Sequence, residues 1–573
     1  VFFALKPNLV FTSKGKGLDV KALYNRMILL FFKITKFLFY LCKGPQVEVV
    51  VISYFWNILV SFFSKLSNLI GGIVVKSFKK IWLVSLITVF ISSLLTGCIV
   101  PSSSPEETGQ SNEEFKGTIK MYAGTYSPNR VLNANQKPAT VLKKLAEEYE
   151  EKTGIKIEFI KGLPADQDYM TWVRTKASGG QLPDIIWSQW YDANTALAKG
   201  TLSDLSKYLD KPNPYADNKA WNELLNRQII SDTKSADGST YVINGDYVGT
   251  ATYYNAEAFK KAGIKEMPKT WSEFIEVCQK LKDAGYIPFA WNLASTPTGT
   301  DRITWLTRLF FTNFFADEYD DLRYTGNEGI TNQDQVIAIK KGVFGSENEK
   351  WMAIWPILKD FSSYWQPDFT GGDSNGQGTM LAFLTGEVGM YFDGSWASQQ
   401  IKSANPDFEW SSFKNPFPDT ATSEFATDFD SSAAIGGPSA AFQYAVPSKQ
   451  ANNSLTPAKE KAIVDWLMYI TTPEHNEEIV NELGENVPTV AGTKPIEELS
   501  ELSDLANKPL QSVFGGINLE KKELDAIYRA FQSYILGETS LEEFAKVADT
   551  EMEKTADSLI QQNNWDLSEY LDE

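Results

Sequence analysis

From Thr118 onward, short apolar runs alternate with longer amphipathic stretches, and this alternation limits the fold more than any other feature of the chain. Residues 118–122 read as a strand, 140–153 as a helix and 155–160 as a second strand. A further helix, 168–178, stops at Gly179-Gly180, where glycine supplies the positive φ of a helix C-terminus, and 183–187 is the third strand. This order predicts an α/β fold with a mostly parallel sheet and helices on both faces. Ligands of such sheets sit beyond the carboxyl ends of the strands, so the loops that follow them are where binding residues are expected.

The chain has 573 residues, 43% of them hydrophobic, which is enough for two packed lobes. Of the 54 Lys/Arg, 12 lie in residues 1–97, against 2 of the 72 Asp/Glu; the remainder therefore carries 42 against 70. An acidic body without a Lys/Arg stripe repels phosphate backbones, so nucleic acid is excluded as a partner.

Three cysteines, Cys42, Cys98 and Cys278, provide neither a disulfide framework nor a metal-site spacing. Cys98 has a more informative context. Lys76-Ser77-Phe78-Lys79-Lys80 is a basic head, residues 81–95 are an apolar core too short for an ordinary membrane span, and Leu95-Thr96-Gly97-Cys98 closes it. Residues 76–97 thus read as a lipoprotein signal. The closing motif resembles the lipobox, which implies cleavage before Cys98 and diacylglycerol on its thiol. Residues 98–117, containing Pro101-Ser102-Ser103-Ser104-Pro105, are expected to be a flexible tether. Residues 1–75 hold two apolar runs, 27–41 and 47–63, ahead of the signal. They are expected to be either upstream sequence read in frame, with initiation at Val74 or Val75, or a membrane extension.

Four segments carry a more specific resemblance. They are Gly179-Gly180-Gln181-Leu182-Pro183-Asp184-Ile185; the run from Tyr253-Tyr254-Asn255 through Met267-Pro268-Lys269-Thr270-Trp271-Ser272-Glu273-Phe274 to Ile287-Pro288; residues 383–396, ending Asp393-Gly394-Ser395-Trp396; and 462–474 with Asn486-Val487-Pro488-Thr489. Within the second, Thr270 and Glu273 form a capping box, which makes Trp271 a packing residue. Over about residues 118–560 the chain resembles the carbohydrate-binding lipoproteins of bacterial ABC sugar importers. The resemblance implies a two-lobed periplasmic-binding-protein-like fold with the ligand cleft between the lobes. Lobe I is expected at 118–245 and 395–434, and lobe II at 246–394 and 435–573. Crossings are expected near 244–249, 393–396 and 432–442, where glycine and small residues suit hinge rotation.

Sugar rings present an apolar C–H face and a hydroxyl rim, so a cleft for them needs aromatic platforms, carboxylates and amides. Tyr122 and Tyr126 flank the loop after the first strand, and Asp166 and Asp168 follow the second. Trp187, Gln189, Trp190, Tyr191 and Asp192 follow the third and form the strongest cluster. Asn244, Asp246 and Tyr247 sit at the first crossing, Trp291, Asn292, Asp301, Arg302 and Trp305 follow a second-lobe strand, and Asp393, Ser395, Trp396 and Gly436 lie at the later crossings. Trp351, Trp355 and Trp365 lack that placement and read as core or as a wall of a longer cleft.

The expected function is capture of an extracellular oligosaccharide, a xylo- or manno-oligosaccharide, by lobe closure and its delivery to permease subunits. The expected protein is a monomer held at the extracellular face of the cell membrane through lipid on Cys98, with no cofactor or metal. Two rival readings remain at this level: a secreted glycoside hydrolase, which also combines aromatics with paired carboxylates, and a polysaccharide-binding adhesin. The single histidine, His475, lies in a polar helix start and argues against a histidine triad or zinc cluster. Residues 371–378 are glycine-rich but lack the terminal Lys-Ser/Thr of a phosphate loop.

Overall fold

In the computed structural model, which describes residues 114–571 apart from 129–137, 162–165, 236, 294–296, 328, 372–376 and 439–440, β1 (Thr118–Met121) pairs in parallel with β2 (Lys156–Phe159). The expected signal, Cys98 and most of the tether lie outside the described residues. Between the two strands runs α1 (Val141–Thr153), which buries Leu142, Leu145, Ala146 and Tyr149, one stripe of a 3.6-residue repeat. It ends on Gly154 in the left-handed region, whose N–H reaches Glu150 O. After α2 (Asp166–Ser178) the chain returns to the sheet, where Ile185 bridges Met121 in parallel and β3 (Ile186–Trp187) follows.

Only Gly245 and Gly249 separate β4 (Val242–Asn244), β5 (Asp246–Val248) and β6 (Thr250–Asn255), which belong to three different sheets. This segment, where a first crossing is expected, passes through three sheets in succession. Beyond it, Asn255 caps the helix Ala256–Lys261, and α3 (Trp271–Asp283) starts on the Thr270–Glu273 capping box with Trp271 buried. β7 (Ile287–Ala290), α4 (Pro297–Phe314), α5 (Glu349–Phe361), β8 (Val388–Gly394), α6 (Ala397–Ala404) and β9 (Trp410–Lys414) complete the second lobe's framework. Its sheet has the order β7-β8-β6-β9; β7 and β8 are parallel, whereas β6 is antiparallel to both of its neighbours.

The segment Ser431–Ile435 leads into β10 (Gly437–Pro438) and β11 (Gln443–Ala445). β11 inserts between β3 and β4, antiparallel to both. α7 (Pro457–Ile470) and α8 (Pro473–Leu483) then pack on α1: Glu482 accepts from Thr140 N at 2.7 Å, and Tyr149 donates to Asp465 at 2.7 Å. β12 (Val487–Pro488) joins β10 on either side of β5, and α9 (Lys521–Ile535) and α10 (Leu541–Asn563) pack on Trp351 and Trp355 of α5. Those two tryptophans and Trp365 are core.

Three expectations are corrected. The sheets are mixed, not mostly parallel, because β11 and β6 run against their neighbours. The chain does not change lobe at 393–396: β9 pairs on the other edge of β6, so 395–414 stays with the second-lobe sheet. Residues 441–483 belong to the first lobe, since Phe442, Tyr444, Trp466 and Leu467 share one core with Ile119, Tyr149 and Ile185. A buried ion pair ties this return together. Asp184 contacts Lys459 at 2.7 Å while accepting from Lys120 N and Asn452 Nδ2, each at 2.8 Å, so the Pro183-Asp184 step is a structural clasp. No helix among the described residues is long and apolar enough to cross a membrane.

Candidate functional site

On the first lobe the residues after β1 and β3 meet the first turns of α2. Tyr122 lies 5.2 Å from Tyr169, and Tyr169 in turn contacts Trp172 at 5.8 Å and Trp187 at 5.1 Å between ring centroids. The Tyr169 hydroxyl donates to Trp187 O at 2.7 Å, which fixes the strand end against the helix. Trp190 and Tyr191 meet edge to face, and Gln443 of β11 accepts from Trp190 N at 2.7 Å. Tyr122, Trp172, Trp187 and Trp190 are half-buried and Tyr191 is 58% exposed, which leaves ring surface open on an otherwise anchored cluster. Gln189 is exposed. Asp192 is half-buried, and burial raises its carboxyl above the usual range against the pull of Arg174. Trp172 was missed by sequence reasoning, although Tyr169 and Trp172 are spaced i, i+3 on the helix that follows β2. The side chains of Asp166, Asp168 and Asp301 lie outside the described residues.

The residues at the first crossing serve a different purpose from the one expected. Asp246 is fully buried and accepts from Tyr126 Oη at 2.7 Å, Asn486 Nδ2 at 2.9 Å and Phe442 N at 3.0 Å. Those donors come from the loop after β1, the approach to β12 and the approach to β11, so the carboxylate gathers the crossing strands. Burial, then the adjacent Asp246 carboxylate, pushes the Tyr126 phenol well above its ordinary value. Asn244 donates to Thr233 Oγ1 at 3.2 Å, and Tyr247 is buried beside the carbonyl of Ala433. Gly436 makes a close approach as expected, but to protein: a Cβ there would lie 2.5 Å from Tyr247 Oη. Asn244, Asp246 and Tyr247 are thus buried among the strands that the crossing brings together, and Gly436 is half-buried beside them.

In the second lobe Trp291 is 1% exposed and sandwiched between Trp365 at 5.4 Å and Phe392 at 5.7 Å, so it is core and not a platform. Asn292 is buried at the end of the same run. Arg302 and Asp393 come together from α4 and β8 in a buried pair at 2.7 Å. Arg302 also donates to Thr379 Oγ1 at 2.8 Å and Tyr391 Oη at 2.9 Å, while Tyr391 donates to Asp393, whose second oxygen accepts from Gly394 N at 2.8 Å. Ser395 donates its N–H to Gly249 O at 2.8 Å and stays buried. Trp305 and Trp396 are half-buried on this side and meet edge to face at 5.8 Å. Trp396 lies flat on Gly394, where a Cβ would come within 2.3 Å of the indole, so glycine is required for that pose.

Two groups of half-buried rings therefore flank one hinge: Tyr122, Trp172, Trp187, Trp190 and Tyr191 on the first lobe, and Trp305 with Trp396 on the second. A family model described as bacterial extracellular solute-binding protein matches residues 144–507. The chain belongs to this family. Its membership makes it an extracellular binding component for a solute. It is 25% identical over 358 residues to the multiple sugar-binding protein of Streptococcus mutans, covering 60% of this chain and 70% of the relative. It is 28% identical over 220 residues, 38% of this chain and 44% of the relative, to the sn-glycerol-3-phosphate-binding periplasmic protein UgpB of Agrobacterium fabrum. Among solved structures, the cyclic alpha-maltosyl-1,6-maltose binding protein from Arthrobacter globiformis aligns with a TM-score of 0.51 at 17% identity, covering 78% of this chain and 100% of that one. Apo RafE from Streptococcus pneumoniae aligns equally well, with a TM-score of 0.51 at 16% identity over 78% of this chain and 100% of that one, and both support the fold.

Proposed function

We propose that this solute-binding protein captures an oligosaccharide between the two ring clusters, closes on it by rotation at the β5 crossing, and hands it unaltered to the permease subunits. The observation that carries the reading is the presence, on both sides of the crossing, of half-buried rings packed against neighbouring rings. Such rings take the C–H face of a sugar. Contacts from the second lobe would favour the closed form by the difference in affinity between the two states. The number of rings fits several sugar subsites, and plant-wall xylo- or manno-oligosaccharides are the ligand class we propose.

The proposal includes anchoring: Cys98 carries the lipid, 76–97 is the removed signal and 98–117 the tether, which places a monomer on the extracellular face of the membrane. Diacylglycerol supplies two chains, enough for stable attachment. It also includes the absence of hydrolysis, in keeping with relatives that are solute-binding proteins. The Arg302–Asp393 pair is enclosed and charge-neutralised, a poor setting for a catalytic acid.

Calorimetric titration with an oligosaccharide panel tests the reading, followed by Trp187→Ala, Trp190→Ala and Trp396→Ala. Each is expected to weaken the best ligand by about tenfold, roughly 1.4 kcal/mol. Unchanged affinity in all three variants, or a rise in reducing ends after incubation, would sink it. Cys98→Ala is expected to release the protein from membranes.

A further inference from the structure

Arg308 lies on α4 three residues beyond Trp305, on the same side of the helix. It is half-buried, makes no ion pair among the described residues, and its Nε is shielded from solvent without an acceptor. Its guanidinium carbon sits 5.0 Å from the ring centre of Phe514. Burial lowers its pKa to about 10, against the opposing influence of the Tyr247 and Tyr528 phenols. Three other arginines have anionic or carbonyl partners: Arg302 has Asp393, Arg323 has Asp320 at 3.2 Å, and Arg529 donates Nε to Asp525 O at 3.0 Å.

A second, independent observation lies across from it. The segment Ser431–Ile435 passes over α4 between Asn313, which donates to Phe429 O at 2.8 Å, and Leu306, which shares a small cavity wall with Ile435. That span brackets the turn bearing Arg308. Ser431 and Ser432 on this segment are buried, and their hydroxyls have no partner among the described residues. Unpaired donors of both kinds thus lie on two elements that pack together, one of them against Tyr247 of the crossing. An aromatic face offsets only part of the cost of a desolvated cation, and the group that offsets the rest is an anion accepting from the planar guanidinium fork.

We propose that the bound sugar carries an acidic substituent, the carboxylate of a uronic acid ring or a phosphate ester, which docks on Arg308 while the ring stacks against Trp305 and Trp396. The inference rests on the sugar-binding reading above and names its substrate class. Within an acidic body such a ligand is held by one local, desolvated charge and not by the general field, so its binding should depend only weakly on salt.

The test is calorimetry of the full chain with matched pairs that differ in charge: xylotriose with and without a glucuronic acid branch, trigalacturonate and its methyl ester, and glucose 6-phosphate against glucose. The acidic member of at least one pair is expected to bind about 100-fold more tightly than its neutral partner. The pair that shows the effect distinguishes carboxylate from phosphate. Arg308→Met should erase the difference without lowering the melting temperature of the free protein, since it removes an uncompensated charge, and Arg308→Lys should keep part of it. If neutral partners bind as tightly as acidic ones, or if Arg308→Met weakens both members equally, the acidic-ligand proposal is overturned and sugar binding stands. If no member of any pair binds, both are overturned.

Discussion

The Tyr126 hydroxyl donates to the Asp246 carboxylate at 2.7 Å across 120 residues of sequence, joining the first loop of the first lobe to the middle strand of the crossing. The bond is fully enclosed, and Asn486 and the Phe442 N–H converge on the same carboxylate.

Tyr126→Phe is expected to cost about 1–2 kcal/mol and Asp246→Ala about 3–5 kcal/mol, because the second change strands several buried donors at once. Urea denaturation monitored by fluorescence gives both values. Equal, small losses for the two variants would contradict the central role of the carboxylate.

Arg302→Met should destabilise by about 3–5 kcal/mol, since it leaves the Asp393 carboxylate buried beside Tyr391 without its cation. Adding Asp393→Leu should recover much of that loss. The double-mutant cycle reads the coupling directly, and additive losses would argue that the pair does not act as a unit.

Trp291 and Trp172 should respond in opposite ways. Trp291→Ala removes a ring stacked in the second-lobe core and should cost about 3–5 kcal/mol of stability. Trp172→Ala, on a half-buried ring of the first-lobe cluster, should leave the melting temperature nearly unchanged and weaken sugar binding by about tenfold. Comparing thermal melts with titrations for the two variants separates core from candidate cleft.

Glu523 is 1% exposed, and burial, with the nearby Glu520 and Glu551 charges, pushes its carboxyl up from 4.5 to about 8. A carboxyl raised in the folded state binds its proton more tightly there than in the unfolded chain. Its contribution is therefore complete below pH 4.5 and is lost as pH rises through 8. Melting temperatures measured from pH 5 to 9 should fall over that range, and Glu523→Gln should flatten the fall.

Local signals were the legible part of this structure. Thr270 three residues before Glu273 announced a helix start, and both halves of the capping box are present. Gly154 and Gly180 end their helices in the left-handed region. Gly245 and Gly249 stand where the chain passes from one sheet to the next. The direction taken at later crossings was hidden, because a small residue permits a turn without saying which sheet receives the next strand. For the same reason Trp291, Asp246 and Arg302 looked like cleft residues from their places after strands. Their burial depends on Trp365, Tyr126 and Tyr391, partners tens to over a hundred residues away. Trp172 was overlooked because ring exposure on a helix is decided by what packs beside it.

The insertion of β11 between β3 and β4 carries a consequence for biosynthesis. The first half of the molecule cannot complete its interior until Phe442, Tyr444 and Trp466 have been made, so a nascent chain lacks its finished nucleus while most of its length emerges.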